Sequence, residues 1–385
     1  MVRKIIDAIK SETGYKDKAQ LLNYLYNTVS SGAVNNEVCE EIGKLFLDLA
    51  NAIIRDARPD RPYKENCEII ACQNAIMGIS MKLWPDVSKM PLELAEAIRA
   101  MLGVMNKIRE LELYVEEVCA EPKIDARVAG ELTNRLRKES DTFKLCDALM
   151  TFLETRNIYD HLTDEARQIF AEYMNDTLKD LMHADMNEDN ISYIELLVDA
   201  VGNFPNDESA SLLHSAFDLK KSNISYYALI SLLKLESMPT PQEVDTLARD
   251  EQYAAITYGK LSENGLASLF PKELRDEVYL AKSDLINWLT YPTELDKKPD
   301  AIEYLGEVLP ILSKKPSYRV FKFISSSDTL DEESKNVWLI GWSSIDGGTF
   351  SGFDLYSDFE GKDTKETLTR VAKKLIGIKL PRVKI

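Results

Sequence analysis

Histidine and cysteine are scarce in this sequence of 385 residues, which has three of the first and five of the second. Few metal ligands are therefore available, and the nearest approach to a Glu-x-x-His motif is Asp180-x-x-His183, which has no second copy. The odd number of cysteines and the absence of a CxxC pair favour reduced, buried thiols. We predict no metal and no cofactor. The residues concerned are His161, His183 and His214, and Cys39, Cys67, Cys72, Cys119 and Cys146.

Long apolar runs and an excess of positive charge are also absent. No stretch approaches the roughly 18 to 20 apolar residues that cross a bilayer, so no membrane association is expected. Asp7 and Lys10 interrupt any apolar region near the beginning, so we expect no secretory signal and predict a cytoplasmic location. With 47 Lys and Arg against 64 Asp and Glu, the net charge of −17 argues against nucleic acid as a ligand.

Motifs for nucleotide binding and nucleophilic catalysis are missing as well. No GxGxxG follows a predicted strand, no GxxxxGK[ST] loop occurs, and Gly341-Trp342-Ser343-Ser344 lacks the second glycine of a nucleophile elbow. Asp185-Met186-Asn187-Glu188-Asp189 resembles the start of a calcium loop, but Leu196 stands at the twelfth position, where a glutamate is required. We interpret this segment as an acidic loop that caps a helix starting near Ile191, with Asn190 as a capping residue.

Charge is distributed unevenly along the chain. Residues 161–310 contain 12 Lys and Arg against 28 Asp and Glu, whereas residues 1–160 have a net charge of −4 and residues 311–385 one of +3. The change of sign coincides with the stretch Pro310–Pro316 and predicts a domain boundary. We predict an all-helical region over 1–160 (a bundle or the start of a solenoid), acidic helical repeats over 161–310 and a small α+β domain over 311–385.

Apolar spacing predicts helices through most of the first 160 residues. The clearest stripe follows the i, i+3, i+4 pattern over more than three turns and consists of Ile42, Leu45, Phe46, Leu49, Ala50, Ile53 and Ile54. Further helices are predicted over 63–83, over 91–119 and over 125–153, the last with a break near Ser140-Asp141.

Three segments within residues 190–271 resemble one another. Asn190-Ile191-Ser192-Tyr193 recurs as Asn223-Ile224-Ser225-Tyr226, an offset of 33 residues, and Tyr253-Ala254 matches Tyr227-Ala228 at an offset of 26. A bulky apolar residue followed by proline ends each segment, at Phe204-Pro205, Met238-Pro239 and Phe270-Pro271. A helix pair of this length cannot bury its apolar stripe alone, so we predict that successive units stack.

Part of this region resembles a HEAT repeat. Leu247-Ala248-Arg249-Asp250 and Tyr253-Ala254-Ala255-Ile256 look like its two helices, and Asn264-Gly265 looks like the break that follows them. Thr240, Pro241 and Glu243 form a capping box before the first of these helices. The resemblance is clear over residues 190–271. It implies a mainly α fold, a HEAT-like α-solenoid of helix pairs, used as a binding or scaffolding surface.

The last part of the chain changes character. Residues 318–324 and 336–342 are rich in aromatic and branched side chains, which predicts two strands, and Asp346-Gly347-Gly348 predicts a hairpin turn into a third strand over 352–359. A helix follows over 364–378. Both faces of the second strand are apolar, so we predict a short antiparallel sheet covered by this helix on one face and by the last repeat on the other.

These observations predict a non-catalytic scaffold or adaptor that binds a basic or amphipathic protein segment through an acidic helical-repeat surface. Two alternatives stay open: an enzyme that uses dispersed carboxylates such as Asp199 or Asp346 in a helical groove, and an inhibitor or immunity protein that blocks a basic surface. A deep pocket with two or more buried titratable groups would favour the enzyme, and a broad acidic groove would favour binding.

Overall fold

A computed structural model describes residues 2–30, 34–59, 63–291, 297–308, 317–326, 336–344, 350–355 and 363–376. It divides the chain into two compact units, Met1–Leu197 and Val198–Ile385. The fold is mainly α with a small antiparallel sheet and a helix at the C-terminal end, which confirms the predicted fold class. The three-part division at residues 160 and 310 stays a prediction, and the second of these points lies outside the described residues.

Helices build the first unit, and their limits follow the predicted apolar stripes closely. The stripe of the third helix is buried except for Ile54, which is half-buried, and it lies in one core formed by the first five helices. The helices are α1 (Val2–Ser11), α2 (Tyr15–Ser30), α3 (Asn36–Asp56), α4 (Tyr63–Leu83), α5 (Leu92–Ile108), α6 (Glu110–Cys119), α7 (Ala126–Leu136), α8 (Thr142–Glu154), α9 (Ile158–His161), α10 (Asp164–Met182) and α11 (Glu188–Val201), the last of which ends in the second unit.

One predicted helix is divided in the structure. The stretch 91–119 forms α5 and α6, because the backbone leaves the helical conformation at Arg109 (φ −92°, ψ 18°). The guanidinium of Arg109 turns onto Glu112 in the next helix, an ion pair that the apolar spacing does not reveal. The break predicted near Ser140-Asp141 is present, and Asp141 caps α8 by accepting a hydrogen bond from the amide of Lys144 at 3.0 Å.

The second unit begins with five further helices and the capping box predicted at Thr240 and Glu243. The predicted closing residues differ among the segments: Phe204 and Phe270 are buried, whereas Met238 is 55 % exposed and contributes nothing to the core. The helices are α12 (Ser209–Ala216), α13 (Ser222–Lys234), α14 (Pro241–Arg249), α15 (Ala254–Glu263) and α16 (Glu277–Leu289).

Buried hydroxyl residues occupy equivalent positions in successive repeat helices. Ser231 of α13 donates to the carbonyl of Val198 at 2.8 Å, and these residues are 33 apart, the same offset as the repeated tetrapeptide. Thr257 of α15 and Ser283 of α16 follow at further offsets of 26, and both are fully buried. The Ser283 hydroxyl accepts from the amide of Ala255 at 2.9 Å. Small side chains at these positions let neighbouring helices approach closely.

Four antiparallel strands, in the order β1-β2-β3-β4, form the sheet. They are β1 (Ala301–Val308), β2 (Tyr318–Ser326), β3 (Asn336–Ser344) and β4 (Phe350–Leu355), followed by α17 (Thr364–Ile376). Residues 336–342 and 318–324 are strands as predicted, and the predicted third strand begins two residues earlier and ends four earlier. The hairpin turn at 346–348 lies outside the described residues.

The sheet is covered on both faces within the second unit. Val320, Ile340 and Trp342 pack against α17, whereas Phe321 and Phe323 pack against α16. This arrangement confirms the prediction of a helix on one face and the last repeat helix on the other.

The sequence did not predict β1. Its pairing with β2 shifts between Tyr304 and Gly306, so Leu305 interrupts the alternation by which a strand is recognised. Gly306 has a φ of 140°, and a Cβ atom there would stand 3.1 Å from the side chain of Leu368 in α17. Only glycine permits both this backbone conformation and the close approach of the helix.

Candidate functional site

A cleft of about 680 Å³ lies between α7, α8, α10 and α11 in the first unit. Its floor holds Tyr173 and Tyr193, both 1 % exposed, whose hydroxyl oxygens are 2.9 Å apart and joined by a hydrogen bond. Burial raises the pKa of both phenols. Both therefore stay protonated near neutral pH and offer hydrogen bonds rather than act as bases.

Charged side chains surround the mouth of this cleft. The guanidinium of Arg137 pairs with Asp176 at 3.1 Å and lies 5.6 Å from the centre of the Tyr173 ring. Lys179 and Asp180, also on α10, line the cleft beside them. An aromatic floor below carboxylates is an arrangement that attracts cationic side chains, and Arg137 already occupies part of it in this way.

The exposed face of α10 continues this negative charge along the helix. Glu165, Glu172, Asp176 and Asp180 are exposed and lie within about one third of the helix circumference, because they are spaced by seven, four and four residues. At 1.5 Å per residue this acidic ridge, as we call these four residues, extends over about 22 Å. Within the described ranges, Glu165, Glu172 and Asp180 make no ion pair, so their charge faces solvent uncompensated.

A second cluster of titratable groups is buried elsewhere in the first unit. The hydroxyl of Tyr63 on α4 lies 3.0 Å from a carboxylate oxygen of Glu112 on α6 and 2.8 Å from one of Asp147 on α8. Arg109 holds Glu112 through two bonds, from Nε at 2.7 Å and from Nη2 at 2.6 Å. A phenol has one hydrogen to donate, so it cannot satisfy both carboxylates when both are ionised.

The two carboxyl groups beside Tyr63 respond in opposite ways to this environment. Burial raises the pKa of Asp147 more than the hydrogen bond from Tyr63 lowers it. Burial also opposes ionisation of Glu112, but the bonds from Arg109 outweigh it and hold the pKa of Glu112 below its usual range. Asp147 is therefore the group that carries the proton as the pH falls, donating it to the Tyr63 oxygen while Tyr63 donates to Glu112.

Replacing Asp147 with asparagine is expected to stabilise the protein at neutral pH by up to about 1 kcal/mol, because the new amide donates to Tyr63 without a buried charge. The folded-state pKa of Asp147 lies above the unfolded value of about 3.9, so its ionisation destabilises the fold as the pH rises through that range. The gain in unfolding free energy from Asp147→Asn therefore grows from about pH 4 to pH 7. Urea denaturation across this range measures it.

Asp56→Asn is the matched control, because Asp56 also accepts from a tyrosine, Tyr15, at 2.8 Å. The hydrogen bond from Arg55 lowers the pKa of Asp56, so Asp56 stabilises the fold above the unfolded pKa and loses that effect as the pH falls. Asp56→Asn should therefore destabilise, increasingly as the pH rises. Equal slopes for the two variants would contradict the assignment of the proton to Asp147.

The histidines and cysteines singled out in the sequence lie in different surroundings. Nδ1 of His214 on α12 is 2.7 Å from Glu243 on α14, His183 ends α10 at an exposed position, and Nδ1 of buried His161 has no hydrogen-bond partner in the described structure. The cysteines are free thiols, of which Cys72 and Cys119 are buried and the others half-buried. Groups of three or more His, Cys, Asp or Glu arranged for a metal ion are absent from the described residues.

The acidic segment at 185–189 serves the start of α11. Asn187, rather than Asn190, accepts from a helix amide: its side-chain oxygen bonds to the amide of Asn190 at 2.8 Å. Asp189 pairs with Lys64 at 2.7 Å. Asn190 lies within the first turn of the helix, so the predicted capping role belongs to Asn187 instead.

The residues considered for an enzyme are not brought together. Asp199 pairs with Lys234 at 2.9 Å, and Ser343 is buried and donates to Asp284 at 2.7 Å. Asp346 lies outside the described residues.

Comparison with protein-family models, with curated proteins and with solved structures returns no match in any of the three cases. The resemblance to HEAT repeats over 190–271 therefore stays a prediction. In the part of the chain that the structure describes, every helix is too short or too polar to span a bilayer.

Proposed function

We propose that the protein is a non-catalytic cytoplasmic scaffold or adaptor, and that its acidic ridge on α10 binds a basic segment of another protein. The observation that carries the proposal is the run of exposed carboxylates, three of them without an ion pair in the described structure, beside the largest described cleft. A basic partner gains Coulomb attraction along about 22 Å of helix. One of its cationic side chains fits the Tyr173–Tyr193 floor, where ring and carboxylate act together.

The location of the ridge agrees with the charge of the sequence. It lies near the beginning of the segment 161–310, which has the largest excess of acidic residues. Many other carboxylates of that segment are engaged within the protein: Glu251, for example, pairs with Lys282 and Lys298, and Asp245 pairs with Arg249. The ridge differs because most of its charge remains available to a partner.

Affinity capture from the native host with the tagged full chain tests this proposal. We expect a protein partner to be recovered at about 0.1 M salt and largely lost at about 0.5 M, because screening shortens the reach of exposed charges. The variant Glu165→Gln/Glu172→Gln/Asp180→Asn should lose the partner even at low salt.

A control variant removes three negative charges elsewhere. Asp207, Asp218 and Glu236 are exposed and make no ion pair within the described residues, so Asp207→Asn/Asp218→Asn/Glu236→Gln changes the net charge by the same amount. This control should recover the partner as the wild type does. Equal loss in both triple variants would mean that net charge, not the ridge, governs binding.

One observation favours an enzyme as the second candidate, because the cleft contains two buried titratable groups, Tyr173 and Tyr193. Their raised pKa values suit proton donation but not the abstraction of a proton near neutral pH. If capture recovers no protein partner while a small molecule protects the cleft from hydrogen exchange, the enzyme becomes the better account.

A further inference from the structure

A second surface of the first unit is apolar rather than acidic. A groove of about 260 Å³ lies between α4 and α5 and is closed at one end by the turn at Val87–Lys89. Each helix lines it at positions i, i+3, i+4 and i+7, from Met77 to Trp84 on α4 and from Ala95 to Leu102 on α5. Two parallel rows of side chains at this spacing form the ridges between which a third helix packs.

Exposed apolar side chains are concentrated at this groove. Met81 is 68 % exposed, Val87 67 % and Leu92 72 %, and Leu92 lies one turn before Ala95 on the same face of α5. Single exposed apolar residues are normal, but three large ones within twelve residues around one groove form a patch typical of an interaction site. Methionine side chains such as Met81 adapt their shape to the surface of a bound partner.

Two polar groups give the groove a chemical preference. Ser80 is 2 % exposed and lines the groove, and its hydroxyl makes no hydrogen bond within the described structure. Arg99 is the one charged residue among the lining residues, is exposed, and has no ion pair in the described ranges. A ligand that covers the apolar surface is therefore best complemented by one negative charge opposite Arg99 and one polar group above Ser80.

We propose that this groove binds an amphipathic α-helix of a partner protein, with apolar residues at helical spacing seated between α4 and α5 and a carboxylate paired with Arg99. The spacing of the two rows selects a helix over an extended strand, because the ridges of α4 and α5 match those of a third helix. This site lies apart from the acidic ridge in sequence and takes a partner segment of opposite charge at its contact point. It therefore stands or falls independently of the proposed function.

A labelled synthetic helix of about 18 residues, with leucines along one face and a single glutamate placed to meet Arg99, is the probe. Fluorescence anisotropy with the full chain should show binding, at least about fivefold tighter than for the same peptide with lysine in place of glutamate. In the Arg99→Glu variant the preference between the two peptides should reverse. Reversal by exchange of the two charges distinguishes a specific contact from general stickiness.

Met81→Glu should weaken binding of the glutamate peptide by about tenfold or more, because it places a charge in the apolar contact. Met238→Glu is the matched control: Met238 is similarly exposed, lies in the second unit and should leave affinity unchanged. The proposal is wrong if the peptide does not bind, if Arg99→Glu leaves the preference unaltered, or if both methionine variants weaken binding equally. It is also wrong if sedimentation shows the wild type alone to be a dimer that Met81→Glu dissociates, since a second copy would then occupy the groove.

Discussion

Gly202→Ala is expected to lower the free energy of unfolding by about 1–3 kcal/mol, a large effect for a single methyl group. Gly202 follows α11 and is buried against α13. A Cβ atom at this position would stand 2.6 Å from Oγ, 2.7 Å from Cβ and 2.9 Å from Cα of Ser231. The last of these is a backbone atom, so α13 has to move, and the hydrogen bond from Ser231 to Val198 is disturbed with it.

Gly259→Ala supplies the control within the same unit. Gly259 lies in α15, and a Cβ atom there meets nothing within 4 Å. Alanine should therefore stabilise the protein by about 0.5–1 kcal/mol through its higher helix propensity. Urea denaturation of both variants measures the difference. A Gly202→Ala variant as stable as Gly259→Ala would show that the repeat helices do not stack as closely as described.

Arg109→Met is expected to destabilise the protein by about 3 kcal/mol, because it leaves the carboxylate of Glu112 in the interior without its cation. The side chains of Arg109 and Glu112 are only 18 % and 15 % exposed. Replacing both, as Arg109→Met/Glu112→Leu, should recover most of the loss, since a buried pair exchanged for apolar residues is often close to neutral. Denaturant midpoints of the single and double variants provide the measurement.

An exposed pair serves for comparison. Arg127 and Glu131 are joined at 2.8 Å on α7, but their side chains are 70 % and 55 % exposed. Arg127→Met should therefore change the stability by less than about 0.5 kcal/mol. If Arg109→Met costs no more than Arg127→Met, the Tyr63 cluster is not held together by the charge of Arg109.

Local patterns in the sequence predicted the helices well, because apolar spacing and capping residues act over a few positions. The limits of α4 and the capping box at Thr240 are examples. The offset of 33 residues also predicted stacking in register, since Ser231 bonds to the residue 33 positions before it. Local irregularities defeated the same reasoning at Arg109, where the helix divides, and in β1, where Leu305 breaks the alternation.

The sites were much less accessible to sequence reasoning. Glu112 and Asp147 lie 49 and 84 residues beyond Tyr63, and no spacing rule connects residues on three separate helices. The acidic ridge had a visible signal, the carboxylates at 165, 172, 176 and 180 on one helical face, but only the total charge of the segment was considered. The α4/α5 groove had one too: its methionines follow helical spacing, which a buried stripe shows equally well.

Ionic strength provides the most direct test of the claim that the ridge on α10 recognises basic protein segments. The measurement is the dissociation constant of a labelled helical peptide of about 20 residues, with lysines along one face, titrated with the full chain from about 0.1 to 0.5 M salt. The account predicts weakening by about tenfold for the wild type and for the control lacking charges at Asp207, Asp218 and Glu236. The variant neutralised at Glu165, Glu172 and Asp180 should bind weakly throughout, with little dependence on salt. Indistinguishable titrations for the two triple variants would contradict it.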